Sequence, residues 1–187
     1  MKKYELTSET KIVFGHILYR IKALSSFGYV SAGDLGGFLE SEKNLSQNGN
    51  AWVSGNAWVS GNAEVSGNAE VSGNAWVSGN AEVSGDARVS GDARVYGDAR
   101  VSGNAEVSEI GAIFWIGAVG SRNDTATFFR CRDGSIKVVC GCFFGNLDEF
   151  AKKVRKTHGD NDHAKVYMLA IDMAKIRIST EKEKTEE

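Results

Sequence analysis

Residues 50–108 repeat one pattern of small, apolar and polar positions every six residues. Alanine recurs ten times from Ala51 to Ala105, and valine stands two places after each alanine, from Val53 to Val107. A six-residue period fits neither an α-helix nor a heptad, whereas side chains two apart share one face of a strand. The Gly-Asn or Gly-Asp that follows suits a tight corner, because these residues accept positive φ. The pattern predicts ten short strands joined by corners, with Ala and Val inside.

The repeat resembles the hexapeptide-repeat family of left-handed parallel β-helices, in which a small residue follows an aliphatic one four places later, as Ala57 follows Val53. In that family three units form one triangular coil, so ten units imply a little over three coils. Residues eighteen apart would then stack at about 4.8 Å. The outward column that begins at Trp52 alternates in charge and supports this spacing. It continues through Glu70, Arg88 and Glu106.

The residue between Ala and Val in each unit is predicted to point outward. One further column contains Glu64, Glu82 and Arg100, of which the first two form a like-charge pair that the stacking does not explain. An exposed aromatic patch usually marks an interface. The predicted interface residues are Trp52, Trp58, Trp76 and Arg94. Because coils of the resembling family commonly associate side by side as trimers, we expect a homo-oligomer first and a foreign partner second.

Two different segments flank the repeats. Residues 1–44 alternate apolar and polar positions and predict an N-terminal β cap of three or four strands, since an open coil would expose unpaired backbone. Leu45 suggests a degenerate first unit, so the β-helix is placed at 45–108. Residues 109–179 predict a small α+β domain. The charged residues 180–187 predict a disordered tail.

The α+β domain is expected to contain an apolar strand at 110–119, a hairpin and two helices. The hairpin turns at Asp133-Gly134, and Asn146 to Glu149 form a capping box that opens the first helix. The second helix runs from Asp162 to about Lys175. Its predicted inward side chains are Val166, Leu169, Ala170 and Met173. The expected fold class is therefore mainly β, with a left-handed β-helix, an N-terminal β cap and an α+β C-terminal domain.

Composition narrows the setting of this protein. The net charge is −2 over 187 residues, so there is no global attraction to nucleic acid or to an anionic membrane. No apolar run is long enough to span a bilayer, and no apolar stretch follows the basic start as in a signal peptide. The 3 cysteines are an odd count that suits a reducing compartment. We therefore expect a cytoplasmic protein without membrane or nucleic-acid partners.

Catalytic chemistry finds little support in the residue pattern. Many hexapeptide-repeat proteins are acyltransferases with a histidine in or beside the coils, but His16, His158 and His163 lie outside the repeats. Cys131, Cys140 and the nearby Cys142 would share an apolar hairpin face, which indicates core packing rather than zinc. The prediction is a non-enzymatic protein with no catalytic residues, no metal and no cofactor.

Two segments are candidates for ligand binding. The polar loop Ser121, Arg122 and Asn123 could bind an anion together with Gly145 and Asn146 at a helix N-terminus. The alternative is a plain turn and a plain helix cap. A basic helix face could contact phosphates or an acidic partner, although such a face is usually only solvated. Its residues are Lys152, Lys153, Arg155 and Lys156.

The three-part layout is similar to a group of bacteriophage and prophage proteins, some labelled polymer-forming cytoskeletal. The similarity rests on short motifs on both sides of the repeats, at 19–24, 32–37, 44–46, 119–122, 140–143 and 157–160. The similarity implies a phage origin but gives no settled activity. From that origin and the lack of catalytic groups, the leading hypothesis is a binding protein that inhibits host antiviral defence by blocking a protein complex or sequestering a nucleotide signal. The β-helix would then mediate oligomerisation. A self-assembling filament or virion protein is the second hypothesis, and an acyltransferase is the third.

Overall fold

The computed structural model describes residues 2–178. The predicted tail, 180–187, lies outside the described residues. The chain divides into two compact units, Met1–Ile110 and Gly111–Glu187, and each contains its own set of buried apolar side chains. Within the described residues, no helix is both long enough and apolar enough to cross a bilayer.

The first unit is a parallel β-helix preceded by an antiparallel meander. The meander strands are Tyr4–Val13 (β1), His16–Ala23 (β2) and Leu35–Leu39 (β3). A short 3-10 turn at Glu42–Asn44 follows. The β-helix strands are Trp52–Val53 (β4), Trp58–Val59 (β5), Glu64–Val65 (β6), Glu70–Val71 (β7), Trp76–Val77 (β8), Glu82–Val83 (β9), Arg88–Val89 (β10), Arg94–Val95 (β11), Arg100–Val101 (β12) and Glu106–Val107 (β13).

Each of the strands β4 to β10 pairs in parallel with the strand eighteen residues later, as predicted. In one column Trp52 lies opposite Glu70, and Glu70 lies opposite Arg88. Because three strands form each coil, the strands of successive coils make three sheets, one on each side of the β-helix. Every repeat alanine and valine has an exposed fraction of 0%. The parallel β-helix and the eighteen-residue coil are thus confirmed, whereas the left-handed winding stays a prediction.

The β-helix begins earlier than the regular repeats. Phe38 and Leu39 of β3 pair in parallel with β5, and Leu45 forms a parallel bridge with Val65. These residues complete one irregular coil before the ten regular units, so the β-helix makes about four turns instead of a little over three.

The N-terminal segment hydrogen-bonds carbonyl groups on the open edge of the first regular coil. The Phe38 N–H donates to the Ala57 carbonyl at 2.9 Å, and the buried Asn44 amide donates to the Ala63 carbonyl at 2.9 Å. The Lys3 ammonium donates to the Ala51 carbonyl at 2.8 Å. These bonds provide partners for backbone groups that an open coil would leave unpaired.

The second unit is a four-stranded antiparallel sheet with two helices. Its elements are Ile113–Val119 (β14), Asp124–Arg130 (β15), Ile136–Cys140 (β16), Phe143–Asn146 (β17), Leu147–His158 (α1) and Asp162–Arg177 (α2). The strands follow chain order across the sheet. The sequence pattern does not predict strand β17, because its four residues read as the loop before α1. The predicted capping box is present, with Asn146 as the N-cap of α1.

The predicted hairpin register is wrong by one residue. A two-residue turn at Asp133-Gly134 would place Phe129 opposite Val138, but Phe128 occupies that position. The turn is longer, since Arg130 pairs with Ile136, and a one-residue slip moves every side chain of one strand to the other face. Phe128 and Val138 therefore pack in the core with the helices, while Cys131 does not belong to that cluster.

The predicted inward face of α2 is also wrong. Leu169 and Met173 are 63% and 51% exposed, and Val166 is 40% exposed. Of the four predicted side chains only Ala170 is buried. The helix packs instead through Ala164, Tyr167, Ala170, Ile171 and Ala174.

Candidate functional site

A cavity of about 360 Å³ lies in the second unit, where the β14–β15 loop and the β16–β17 turn meet the two helices. Both loops are polar, whereas the helices and β17 contribute apolar side chains. The lining residues are Ser121, Arg122, Cys140, Cys142, Phe143, Phe150, Lys153, Val154, Thr157, His158 and Tyr167.

The cavity rim carries basic groups. Arg122 comes from the β14–β15 loop and Lys153 from α1, and the His158 imidazole comes from the last turn of α1. No carboxylate belongs to the lining residues, and the nearest ion partner of Arg122 is Asp124, at 3.8 Å. Gly141 faces Arg122 so closely that a Cβ there would collide with the guanidinium group. The electrostatic potential in the cavity therefore favours binding of an anion.

The floor of the cavity is aromatic. The Phe150 ring centroid lies 5.1 Å from that of Phe143 and 5.4 Å from that of Tyr167. The Tyr167 hydroxyl lies 3.7 Å from the Cys140 sulfur and 3.4 Å from the Val119 carbonyl, to which it donates. Burial, together with the contact to Cys140, raises the pKa of Tyr167 to about 12, so the phenol is neutral. A basic rim over an aromatic floor suits a ligand with an anionic group and a flat ring.

His158 is held by neighbouring rings. Its imidazole stacks on Tyr167 with a centroid distance of 5.8 Å and an interplanar angle of 29°. The His163 ring lies 5.6 Å away. His158 lies where it could donate a hydrogen bond to a ligand at the rim. Its ring contacts are aromatic, and within residues 2–178 no carboxylate orients it as a general base.

The structure brings together only part of the predicted ligand site. Ser121 and Arg122 line the cavity, whereas Asn123 occupies a turn position with φ of 51° and does not. Gly145 and Asn146 also lie outside the cavity. The Asn146 side chain accepts from the Glu149 N–H at 2.8 Å, and the Glu149 carboxylate accepts from the Asn146 N–H at 2.9 Å. The helix N-terminus is thus capped by its own residues, and anion binding there stays a prediction.

The predicted basic face of α1 is split by the helical twist. Lys153 points into the cavity, while Lys152 and Arg155 line a different depression with Leu147 and Met168. Lys156 lines neither. Only Lys153 therefore joins Arg122. The sequence analysis missed the aromatic floor formed by Phe143, Phe150 and Tyr167.

The cysteines lie in different environments. Cys131 and Cys140 are buried, and burial raises the pKa of both thiols, while Cys142 is exposed at the cavity. Among residues 2–178, no three His, Cys, Asp or Glu side chains form a group that could hold a metal ion.

The expected exposure of the predicted interface residues is wrong for two of the three tryptophans. Trp52 and Trp58 are only 3% and 8% exposed. They do point away from the coil, but the meander covers them: Tyr4 and Phe27 pack on Trp52, and Phe38 packs on Trp58. Trp76 is partly buried, and the Arg94 guanidinium lies 5.2 Å from its ring, as the eighteen-residue stacking predicted.

Comparison with known proteins supports the repeat architecture. A family model described as the YdcK beta solenoid repeat matches residues 93–109, which lie in the last coils. A search of curated proteins finds no match to the chain. The chain is therefore similar to β-solenoid repeat proteins over this short segment.

Proposed function

We propose that this protein is a non-enzymatic binding protein that holds a small nucleotide-like ligand in the cavity of its second unit. The observation that carries the proposal is the combination of Arg122 and Lys153 at a rim without carboxylates, above the Phe143, Phe150 and Tyr167 rings. Charged donors of this kind bind phosphate oxygens, and aromatic side chains stack on a base.

The two cations have different tasks in this arrangement. The Arg122 guanidinium can bind two phosphate oxygens in a planar, bidentate geometry, whereas Lys153 supplies a compact charge on a flexible stem. The Ser121 and Thr157 hydroxyl groups line the same cavity and can donate to remaining oxygens. The ring of the ligand would lie toward Phe143 and Tyr167.

The proposed biological role rests on the phage origin that the resemblance implies and on the lack of catalytic groups in the residue pattern. We propose a phage-derived protein that inhibits host antiviral defence by sequestering a nucleotide signal in the cytoplasm. Binding of a host protein complex is the alternative target. The hexapeptide β-helix would act as an oligomerisation element, with a homotrimer as the favoured assembly. Support comes from the repeat and from the cavity chemistry.

End-to-end self-assembly and acyl transfer, the other two hypotheses, find less support. The carbonyl groups on the first coil already accept hydrogen bonds from Phe38, Asn44 and Lys3, so a second β-helix would have to displace this segment before stacking there. Acyl transfer of the hexapeptide-repeat type would need a histidine beside a groove of the coils. His16 is hydrogen-bonded to Glu40 at 2.9 Å, and His158 lines the cavity of the second unit instead.

Isothermal titration calorimetry of the full chain with AMP, cyclic AMP, adenosine and inorganic phosphate tests the proposal. We expect AMP or cyclic AMP to bind more tightly than either fragment, and Arg122→Gln or Lys153→Gln to weaken binding about tenfold or more. Lys152→Gln is the matched control, because it removes the same charge from the same helix outside this cavity. Lack of binding by both nucleotides, or equal losses in Lys152→Gln and Lys153→Gln, would overturn it.

A further inference from the structure

The β-helix carries a second groove, of about 200 Å³, beside the tip of the β1–β2 hairpin. The groove differs in composition from the cavity of the second unit, because aromatic rings form its walls and one acid and one base stand at its rim. The lining residues are Val13, Phe14, Trp58, Asn74, Trp76, Asp92 and Arg94.

Three rings form the aromatic wall. The Trp58 and Trp76 centroids are 4.8 Å apart, and the Phe14 centroid is 5.4 Å from that of Trp76 and 6.3 Å from that of Trp58. The rings are tilted by 44° to 61° with respect to one another. They therefore enclose an angled hollow and not a parallel-sided slot.

Phe14 occupies its position at a conformational cost. It has φ of 48° and is followed by Gly15 with φ of 85°, in a two-residue turn where asparagine and glycine are preferred. Its side chain is 79% exposed, so burial compensates little of the strain. Strained residues retained at a surface often serve a binding function. The hairpin thus holds an aromatic ring beside two indoles that meet edge to face.

The rim carries unsatisfied hydrogen-bonding groups. Arg88 and Arg100 stack on glutamates, at 3.3 Å from Glu70 and 3.7 Å from Glu82. Arg94 stacks on Trp76 instead and has no carboxylate partner among residues 2–178. Its guanidinium can therefore donate hydrogen bonds into the groove.

Asp92 provides the matching acceptor. One of its oxygens accepts from the Asn74 amide at 3.2 Å, at the end of a ladder of corner side chains, and the other accepts nothing from the described residues. The buried Trp76 indole N–H also has no partner within residues 2–178. That nitrogen is fully buried, so the polar groups that a ligand in the groove can reach are those of Asp92 and Arg94.

We infer that this groove binds the ring of a neutral sugar, either a free hexose or the end of a glycan. The hydrocarbon face of a pyranose packs on aromatic rings, and its hydroxyl groups both donate and accept. Asp92 and Arg94 offer one acceptor and one donor set whose charges cancel, which suits an uncharged polyhydroxyl ring. The tilted rings leave no parallel slot for a planar base. The inference is independent of the nucleotide proposal, since it concerns a different unit.

Saturation-transfer difference NMR with the full chain tests the inference. The probes are glucose, galactose, mannose and N-acetylglucosamine at millimolar concentration, with AMP as a competitor. We expect transfer to the ring C–H protons of at least one sugar. Phe14→Asn removes the ring while placing a residue that tolerates positive φ, and Arg94→Gln removes the guanidinium. Both should weaken sugar binding about tenfold or more.

Ile12→Ser is the matched control, because Ile12 is an exposed apolar side chain of the same hairpin that does not line the groove. It should leave sugar binding unchanged. Absence of transfer to all four sugars overturns the inference. So does binding that persists in both variants, or displacement of every sugar by AMP from a site that Phe14→Asn abolishes. Arg94→Gln keeps the test decisive if Phe14→Asn proves unstable.

Discussion

Phe38 lies opposite Trp58 in a parallel pair of strands, one coil before the regular repeat begins. This pairing joins the antiparallel meander to one face of the β-helix, and it makes a six-stranded sheet of β1, β2, β3, β5, β8 and β11. The join is close because Gly36 and Gly37 precede Phe38. A Cβ on Gly37 would lie 2.5 Å from the Ala57 carbonyl oxygen and 2.8 Å from a Val53 methyl group.

Gly37→Ala is therefore expected to lower the free energy of unfolding by about 3 kcal/mol, because the Ala57 backbone and the buried Val53 side chain would both have to move. Urea denaturation monitored by circular dichroism measures the change. Gly117→Ala serves as the control, since a Cβ there meets only the Thr125 hydroxyl at 3.6 Å. Equal effects of the two substitutions would show that the close approach of β3 to the coil is not formed.

Glu64 lies directly opposite Glu82 in the β-helix, which leaves one like-charge pair in an otherwise complementary set of columns. Glu64→Lys should raise the free energy of unfolding by about 0.5 kcal/mol at low salt, and the gain should shrink as salt is added. The reverse test is Glu70→Lys, which removes the partner of Arg88 and should be destabilising. A loss of stability in Glu64→Lys would contradict the eighteen-residue register.

Glu40 connects the β2 strand to the first coil and predicts a response to acid. It accepts from His16 at 2.9 Å and from the Gly61 N–H at 2.6 Å. The His16 hydrogen bond, and then that of Gly61, hold the pKa of Glu40 below its ordinary value of 4.5. Because the pKa is lower when folded, this contribution is present above about pH 4.5 and is lost as the pH falls through the folded value.

Glu40→Gln should accordingly destabilise the protein by about 1 kcal/mol near neutral pH, since the carboxylate is partly exposed. The difference between the variant and the unchanged protein should diminish when melting is repeated in acid. Glu5→Gln, on the same meander, is a control for the loss of one negative charge. A difference that grows in acid would contradict the sign derived from the pKa.

The two faces of α2 give a prediction about packing. Ile171 is 2% exposed and packs in the core, whereas Leu169 is 63% exposed. Ile171→Ala should cost about 3 kcal/mol, while Leu169→Ala should change stability by less than about 0.5 kcal/mol. Thermal unfolding of the two variants distinguishes these outcomes. A larger loss from Leu169→Ala would restore the inward face predicted from the sequence.

The β-helix could be predicted in detail because every coil repeats the same local contacts. Ala and Val alternate with a polar residue, and the sign of charge along the Trp52 column already indicates which residues stack. The irregular first coil was harder to predict. Leu39 and Leu45 are six residues apart, as in the repeat, but the alanine and the Gly-Asn corner of the regular units are missing around them.

The second unit was predicted less well, for reasons that can be named. The hairpin register depends on turn length, and a stretch with apolar residues at both Phe128 and Phe129 gives no preference for either face. Helix α2 likewise carries apolar residues on two sides, so periodicity alone could not select Ile171 over Leu169. The covering of Trp52 depends on Tyr4 and Phe27, which are distant in sequence.

The cavity of the second unit could also be predicted only in part from the sequence. Ser121 and Arg122 were predicted because a polar loop with an arginine is visible locally, but its union with Lys153, His158 and Tyr167 depends on how two helices pack on the sheet. A pattern along the chain does not report which loop meets which helix.

The eighteen-residue period also determines how such a protein can change its length during evolution. Duplication of one whole coil would lengthen the β-helix by about 4.8 Å and leave each outward column in place. Duplication of a single six-residue unit would instead move every later column to the next face and set Arg94 over a different partner than Trp76. The length of the β-helix can therefore change during evolution in steps of one coil. Such a change would leave the residues of the groove near Phe14 and of the second unit unaltered.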